Sequence, residues 1–287
     1  MHEEVEISPE FKSIGQDIVA ELPKVVLRHL VAAGEVGQQL QALVDDGVVY
    51  AELSVRVANE EELHAALHAV TAAEQSIVAR IVVAIDSLAD AELAAAHRGI
   101  VVGCALEGDP DPQLVQYLRE NFLPFTVAAN VGEGLQSLYA AVVAGADRIA
   151  GAISLYEDFT VELEGISAGA LSTYVRDREI PLELSLSADV TSGVVEEVGD
   201  HPLPLLQQLG FNCTLNPCGP TLTEEMTLLV EGFDYGLEEL FDLTVNAIEA
   251  AFAPIELRRT ILQERIAPAY QRFAEDLVDS AESEDEL

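Results

Sequence analysis

The sequence has little positive charge. Of its 287 residues only 14 are lysine or arginine, against 51 aspartates and glutamates, and the formal net charge at pH 7 is −37. A surface this acidic repels nucleic-acid phosphates and anionic lipid headgroups, so we expect neither nucleic acid nor a membrane as a partner. Solubility is one explanation of the excess charge, and attraction of a basic partner or a cationic ligand is the other.

Long apolar runs, a secretion signal and paired cysteines are also missing. The apolar stretch Ile77–Ile85 is interrupted by Arg80, and no run reaches the roughly 18 residues that a membrane helix needs. The first residues, MHEEVEIS, are acidic and lack the basic start and apolar run of a signal peptide. Three cysteines at unrelated spacings, Cys104, Cys213 and Cys218, indicate reduced thiols. These absences predict a soluble cytoplasmic protein.

The sequence does contain a regular alternation of short apolar segments and helix-length segments. Eight segments are typical of buried strands: Leu22–Leu30, Val48–Val57, Ile77–Ile85, Gly99–Leu106, Pro124–Ala129, Arg148–Ile153, Pro181–Leu186 and Phe211–Asn216. Such alternation indicates a parallel sheet with right-handed crossovers, and eight units close a barrel. An open doubly wound sheet is the alternative, but the turn Val31–Gly34 lacks its Gly-rich phosphate loop. We expect an α/β protein with a (β/α)8 TIM-type barrel.

The same pattern predicts one domain with extra helices at its end. The helices expected after the fifth strand are Gly134–Ala144, Glu164–Asp177, His201–Leu209, Leu222–Glu231, Leu237–Phe252 and Pro254–Val278. No linker rich in proline, glycine or serine interrupts the chain. We therefore expect a lead-in over 1–21 with one short helix near Phe11–Glu21, a barrel domain over 22–278, and a solvated, disordered acidic tail over 279–287.

The predicted strand ends carry few residues suited to metal chemistry. Reacting groups in these barrels lie at the C-terminal ends of the strands. Among the residues there, Asp189 is the one carboxylate and His29 the one histidine. Alternation along the first strand directs His29 toward the helices, and Arg28 and Leu30 into the barrel mouth. The strand ends therefore lack a set of three ligands for a catalytic zinc, and we expect no metal, no cofactor and no catalytic residue.

Ordered short motifs nevertheless resemble the adenosine deaminase family from Leu22 to about Phe252. The matching segments are LPKV at 22–25 with Leu27, VVYAEL at 48–53, VVGCALEGD at 101–109, residues 125–138, DRI at 147–149, residues 190–195, HPL at 201–203, TLN at 214–216, TLTEE at 221–225 and NAIEA at 246–250. This resemblance implies a barrel fold and a zinc-dependent aminohydrolase ancestry. It also places Gly108 on the family's substrate-contacting glycine.

The resemblance implies that the family's working groups are replaced in this chain. Each replacement stands at the position of a zinc ligand or of an acid–base group: Arg28 and Leu30 for two first-strand histidines, Ala128 for a third, Val131 for a glutamate, Gly151 for a histidine, and Cys218 and Gly219 for paired aspartates. The segment between the first two strands is also short, which implies a reduced lid over the mouth.

Two residues at the mouth suggest other chemistry. Arg28 is a permanent cation that could hold a carboxylate or phosphate of a small ligand; alternatively, it pairs with Glu52 or Asp189. Cys218 could be a nucleophile or soft ligand, although an inert thiol is the simpler interpretation because no histidine base is evident beside it. We select Arg28, Gly108 and Asp189 as candidate ligand-binding residues.

Three functional hypotheses follow. The first is a non-catalytic relative of the adenosine deaminases that works by binding a nucleoside or carboxylate, or by assembly into homo- or hetero-oligomers. The second is an active purine nucleoside deaminase or related hydrolase with a rebuilt site. The third is a ligand sensor that uses Arg28. The replaced residues favour the first.

Overall fold

A computed structural model describes residues 14–163, 165–219 and 221–285 of the chain. Eight parallel strands form a nearly closed barrel in the order β1-β2-β3-β4-β5-β6-β9-β10. The barrel strands are β1 Lys24–Ala32, β2 Val48–Arg56, β3 Val78–Ala84, β4 Val101–Glu107, β5 Phe125–Ala128, β6 Arg148–Ala150, β9 Leu182–Leu184 and β10 Cys213–Leu215. The predicted (β/α)8 TIM-type barrel is confirmed.

Helices separate the strands and continue beyond the barrel. They are α1 Gln16–Glu21, α2 Val36–Asp45, α3 Glu60–Ala73, α4 Leu88–Ala96, α5 Pro112–Glu120, α6 Leu135–Ala144, α7 Ala170–Asp177, α8 Leu186–Thr191, α9 Leu203–Gln208, α10 Leu222–Phe233, α11 Leu237–Ala250, α12 Ile255–Ile261 and α13 Ala267–Asp285. None of those in the described part of the chain combines the length and apolar character needed to cross a bilayer.

The predicted segment boundaries need correction in three places. Residues between β6 and α7 form a 3-10 helix at Ala152–Asp158 and an antiparallel hairpin, β7 Phe159–Glu162 with β8 Gly165–Ala168, where the sequence predicted strand and helix. The last helix divides at a π-helical turn, Leu262–Ile266. The backbone of the acidic tail is helical as far as Asp285, whereas disorder was expected. The part of the predicted Phe11–Glu21 helix before Ile14 lies outside the described residues.

Asn216 links the two strands at the open seam of the barrel. Among the described residues, no backbone ladder joins β10 to β1. The side-chain Oδ1 of Asn216 instead accepts hydrogen bonds from the backbone N–H groups of Leu27 (2.8 Å) and Arg28 (3.0 Å). The pairing of β1 with β2 shifts register between Val26 and His29, so a bulge lies at these same residues. A bulge of this kind redirects the side chains around it, and Arg28 lies within it.

A buried charge cluster fills the barrel interior. Arg148 of β6 has no exposed surface, and it donates at 2.7 Å to both Glu52 of β2 and Glu183 of β9. These three residues are the Arg148 network. Burial alone would lower the pKa of Arg148, but the charges of Glu52 and Glu183 outweigh burial and raise it above its usual value. The guanidinium therefore remains charged inside the barrel.

The Arg148 network also attaches the C-terminal helices to the barrel. Arg148 donates to the carbonyl oxygen of Ala250 (3.1 Å), at the end of α11, and its Cζ lies 3.7 Å from the centre of the Phe252 ring. Glu52 accepts from the backbone N–H of Phe252 at 2.6 Å. Gly103 of β4 makes room for this ring, because a Cβ at that position would collide with it.

Removing the cation from this network should strongly destabilise the fold. Arg148→Ala leaves Glu52 and Glu183 buried without a counter-charge, and loss of one partner from a buried ion pair costs about 3–5 kcal/mol. Urea unfolding followed by circular dichroism measures the change in the free energy of unfolding. Arg56→Ala is the matched control, because Arg56 pairs with Asp86 at the surface, where such pairs contribute about 0–1 kcal/mol. Equal losses in the two variants would contradict this assignment.

Candidate functional site

A cavity of about 340 Å³ opens at the barrel mouth. It lies where β1, β6, β9 and β10 end, which is the face where reactions take place in barrels of this type. We call it the mouth cavity. The residues that line it are Arg28, His29, Leu30, Gln39, Ala150, Gly151, Glu183, Leu184, Ser185, Ala188, Asp189, Asn216, Pro217, Cys218 and Gly219. Two larger hollows lie elsewhere, along α7 and beside α9 and α11. The mouth cavity is therefore the better candidate site.

Arg28 brings an unpaired positive charge to the mouth cavity. The alternative that it pairs with Glu52 or Asp189 is wrong, since within the described residues no carboxylate lies within 4.0 Å of its guanidinium nitrogens. Glu52 is bound to Arg148 instead. Nε2 of His29, next along the strand, donates to Oε1 of Gln39 of α2 at 3.1 Å. His29 therefore reaches α2, as alternation predicts, but it also lies in the lining of the mouth cavity, which alternation did not predict.

Asp189 provides one carboxylate of the mouth cavity and is held by a buried histidine. Nε2 of His201 lies 3.1 Å from Asp189 Oδ2, while Nδ1 of His201 accepts a hydrogen bond from the backbone N–H of Leu203 at 3.1 Å. Because Nδ1 accepts, the ring proton is on Nε2 and is donated to Asp189. His201 therefore orients the carboxylate, and its imidazole is 0% exposed.

A buried glutamate fixes α8, the short helix that carries Asp189. Glu225 of α10 accepts from the backbone N–H of Leu186 at 2.8 Å and from the hydroxyls of Ser185 (3.1 Å) and Ser187. Burial raises the pKa of Glu225 despite these hydrogen bonds, which act in the opposite direction. The Glu225 carboxylate thus accepts from N–H groups at the start of α8, the helix that carries Asp189.

Glu183 supplies a second carboxylate at the base of the mouth cavity. Its Oε1 accepts from Arg148 at 2.7 Å and from the Thr126 hydroxyl at 3.3 Å. Its Oε2 is buried and has no hydrogen-bond partner in the described structure. A buried carboxylate oxygen without a partner is costly, so Oε2 is an unsatisfied acceptor in a residue that lines the mouth cavity.

The structure separates the three residues predicted to bind a ligand. Arg28 and Asp189 both line the mouth cavity, as predicted from their strand ends. Gly108 does not: it follows β4, in a left-handed conformation with φ of 68°, and lies outside the cavity lining. Sequence reasoning missed Glu183 and Asn216 as site residues. Glu183 is the one charged residue of its apolar strand segment, and Asn216 continues the polar positions Asn212 and Thr214 of its own strand; these are the signals that could have identified them.

Comparison with known proteins assigns the family. The family model for adenosine deaminase matches residues 26–268. An adenosine deaminase of Mycobacteroides abscessus is 34% identical over 279 residues, which cover 84% of this chain and 75% of that protein. An adenosine deaminase of Mycobacterium sp. (strain JLS) is 35% identical over 166 residues, or 55% of this chain and 46% of that protein.

Solved structures show the same fold at low identity. An amidohydrolase from Burkholderia ambifaria with bound zinc has a TM-score of 0.76 at 15% identity and covers 97% of both chains. A complex of ADAL with IMP has a TM-score of 0.75 at 16% identity and covers 90% of this chain and 100% of that chain. The fold and mouth cavity define a TIM-barrel protein of the metal-dependent hydrolase superfamily. Within that class, the chain belongs to the adenosine deaminase family.

The expectation of no metal or cofactor has to be corrected. The family is that of adenosine deaminases, and the Burkholderia relative contains zinc. In addition, Glu60, His64 and His97 bring three potential metal-ligating atoms within 4.8 Å of one another. None of these three residues lines the mouth cavity. Zinc does not fit the mouth cavity itself, since in the described chain no three His, Cys, Asp or Glu ligand atoms converge there.

The reactivity of the three cysteines should show which thiol is accessible at the mouth cavity. Cys104 and Cys213 are buried, which raises the pKa of each thiol to about 12, whereas Cys218 is exposed in the cavity lining. Because only the thiolate reacts, a disulfide reagent at pH 8 should modify one thiol per native chain and all three after denaturation. Cys218→Ser should abolish the native reaction. Rapid modification of two or more native thiols would contradict the structure.

Proposed function

We propose that this member of the adenosine deaminase family binds a small ligand in its mouth cavity and does not deaminate adenosine there. The observation that carries the proposal is the composition of the cavity: the Arg28 cation and two carboxylates stand where a metal-dependent hydrolase needs converging metal ligands.

The domain that binds is proposed to span 22–278, between the lead-in 1–21 and the tail 279–287. The unpaired, mostly buried thiols support a cytoplasmic location.

The charges in the mouth cavity define the chemistry of the ligand. Asp189 offers an acceptor that is held by His201, and Glu183 adds a second carboxylate to the cavity lining. Arg28 offers donors to an oxygen-rich or anionic group at the entrance. A nucleoside satisfies these requirements through its base N–H groups and ribose oxygens, and a carboxylate that also carries an N–H group satisfies them through both of its ends.

Two further observations narrow the class of ligand expected in the mouth cavity. Related barrels were solved in complex with IMP, and one from Arabidopsis with GMP, which supports a purine-containing ligand. The net charge of −37 disfavours ligands with several negative charges, because the field of the whole protein repels them. We therefore place neutral nucleosides and monocarboxylates ahead of nucleotides.

The test combines binding with an activity assay on the same preparation. Calorimetric titration with adenosine, inosine and small amino-carboxylates should find a ligand whose affinity falls about 10- to 100-fold in Arg28→Gln, because a charge-assisted hydrogen bond contributes about 1.5–3 kcal/mol. Arg56→Gln is the matched control, since it removes the same charge from a residue outside the cavity. The ultraviolet absorbance of adenosine should remain constant on incubation with the wild-type protein.

Two results would reject the proposal. One is turnover of adenosine to inosine that chelators abolish. The other is ligand binding that Arg28→Gln and Arg56→Gln affect equally. A wild-type protein that binds none of these ligands but elutes as an oligomer, or recovers a partner chain, would favour assembly instead.

A further inference from the structure

We propose that Glu60, His64 and His97 form a binding site for a divalent transition metal ion on the outside of the barrel. Glu60 and His64 occupy successive turns of α3, four residues apart, and His97 follows the last residue of α4. The two helices flank β3, so the three residues bridge neighbouring parts of the outer helical layer. The inference concerns a place separate from the mouth cavity and does not rest on the function proposed above.

The spacing of the three ligand atoms suits one small ion. Nε2 of His64 lies 3.1 Å from Nε2 of His97, and Glu60 Oε1 lies 3.7 Å from His97 Nε2 and 4.0 Å from His64 Nε2. Zinc bonds of about 2.0–2.1 Å in tetrahedral geometry place two ligand atoms about 3.4 Å apart. The observed separations lie on both sides of that value, so side-chain adjustments of less than an ångström would complete the coordination.

His97 is already oriented for metal binding. Its Nδ1 lies 3.0 Å from the backbone carbonyl oxygen of Leu93, which can only accept a hydrogen bond. The Nδ1 atom of a neutral His97 therefore carries the ring proton, and the Nε2 lone pair points toward His64 and Glu60. A histidine that donates its second nitrogen to a carbonyl is the usual arrangement around protein-bound metals. His97 is also the least exposed of the three, with its side chain 16% exposed.

The donor set determines the class of ion. Two imidazoles and one carboxylate suit Zn²⁺, Co²⁺, Ni²⁺ or Cu²⁺ better than Mg²⁺ or Ca²⁺, which prefer oxygen ligands alone. The side chains of Glu60 and His64 are 65% and 59% exposed, so water has access to the fourth position. A bound ion would cross-link α3 to α4, and the strongly acidic protein would attract cations to this surface.

Direct metal titration of tag-free protein tests the site. We expect one high-affinity Zn²⁺ per chain by calorimetry, and a visible absorption spectrum of a low-coordinate cobalt site when Co²⁺ is used. His64→Ala and His97→Gln should each weaken Zn²⁺ binding at least tenfold, since even outer partners of metal ligands contribute about 10- to 100-fold. His68→Ala is the matched control: His68 is an exposed histidine one turn further along α3 and outside the triad.

A thermal unfolding measurement supplies a second, independent readout. Zn²⁺ should raise the melting temperature of the wild type and of His68→Ala, because an ion bound only by the folded state stabilises it, and should leave His64→Ala unchanged. His64 is exposed, so its replacement does not disturb the core. Equal Zn²⁺ affinity in His64→Ala and the wild type would overturn the proposal, as would a tenfold loss in Cys218→Ser or in His68→Ala.

Discussion

The structure depends on one buried cation, Arg148, and on the two glutamates that neutralise it. A guanidinium without solvent inside a barrel is tolerable only if its charge and its N–H groups are matched by neighbouring groups. Glu52 and Glu183 match the charge, and the carbonyl oxygens of Leu27 and Ala250 accept further hydrogen bonds. Four barrel or helix elements therefore meet at a single side chain. Their relative positions are fixed by directed polar contacts in addition to apolar packing.

The same interaction shapes the mouth cavity above it. Arg148 binds one oxygen of Glu183, and the other oxygen of this cavity-lining residue is buried without a hydrogen-bond partner in the described structure. Asp189 lies in the cavity wall on α8, and Glu225 accepts a hydrogen bond from the backbone N–H of Leu186 at the start of that helix. Arg28 enters from a bulge fixed by Asn216. Each of the two carboxylates is thus held by a buried contact, Glu183 by Arg148 and Asp189 by His201, as a preorganised binding site requires.

The barrel could be predicted from sequence because every strand is a short apolar run followed by a helix-length segment. The hairpin β7–β8 was missed although residues 159–163 alternate apolar and polar side chains, which is the pattern typical of a strand. The eight-unit pattern had no place for two strands that pair with each other outside the barrel sheet. The mouth positions of Arg28 and Asp189 followed from strand ends. Gly108 lies directly after β4 and outside the lining of the mouth cavity, so its ligand-binding role stays a prediction of the resemblance. Arg148 pairs with Glu52, 96 residues away, only once the barrel has closed, and residue periodicity does not reveal such long-range pairs. The Asp189–His201 contact depends on the local course of the chain after α8, which periodicity does not reveal either.

The chain keeps the barrel of the adenosine deaminase family, and the central proposal is that its mouth cavity binds a small ligand while a metal ion binds on the outer helices. Anomalous X-ray scattering at the zinc absorption edge, from crystals soaked in Zn²⁺, tests this claim most directly because it locates the ion. The account predicts a peak between His64 and His97 on the outer helices and none in the mouth cavity. A strong peak coordinated by Asp189 and Cys218 in the mouth would contradict it.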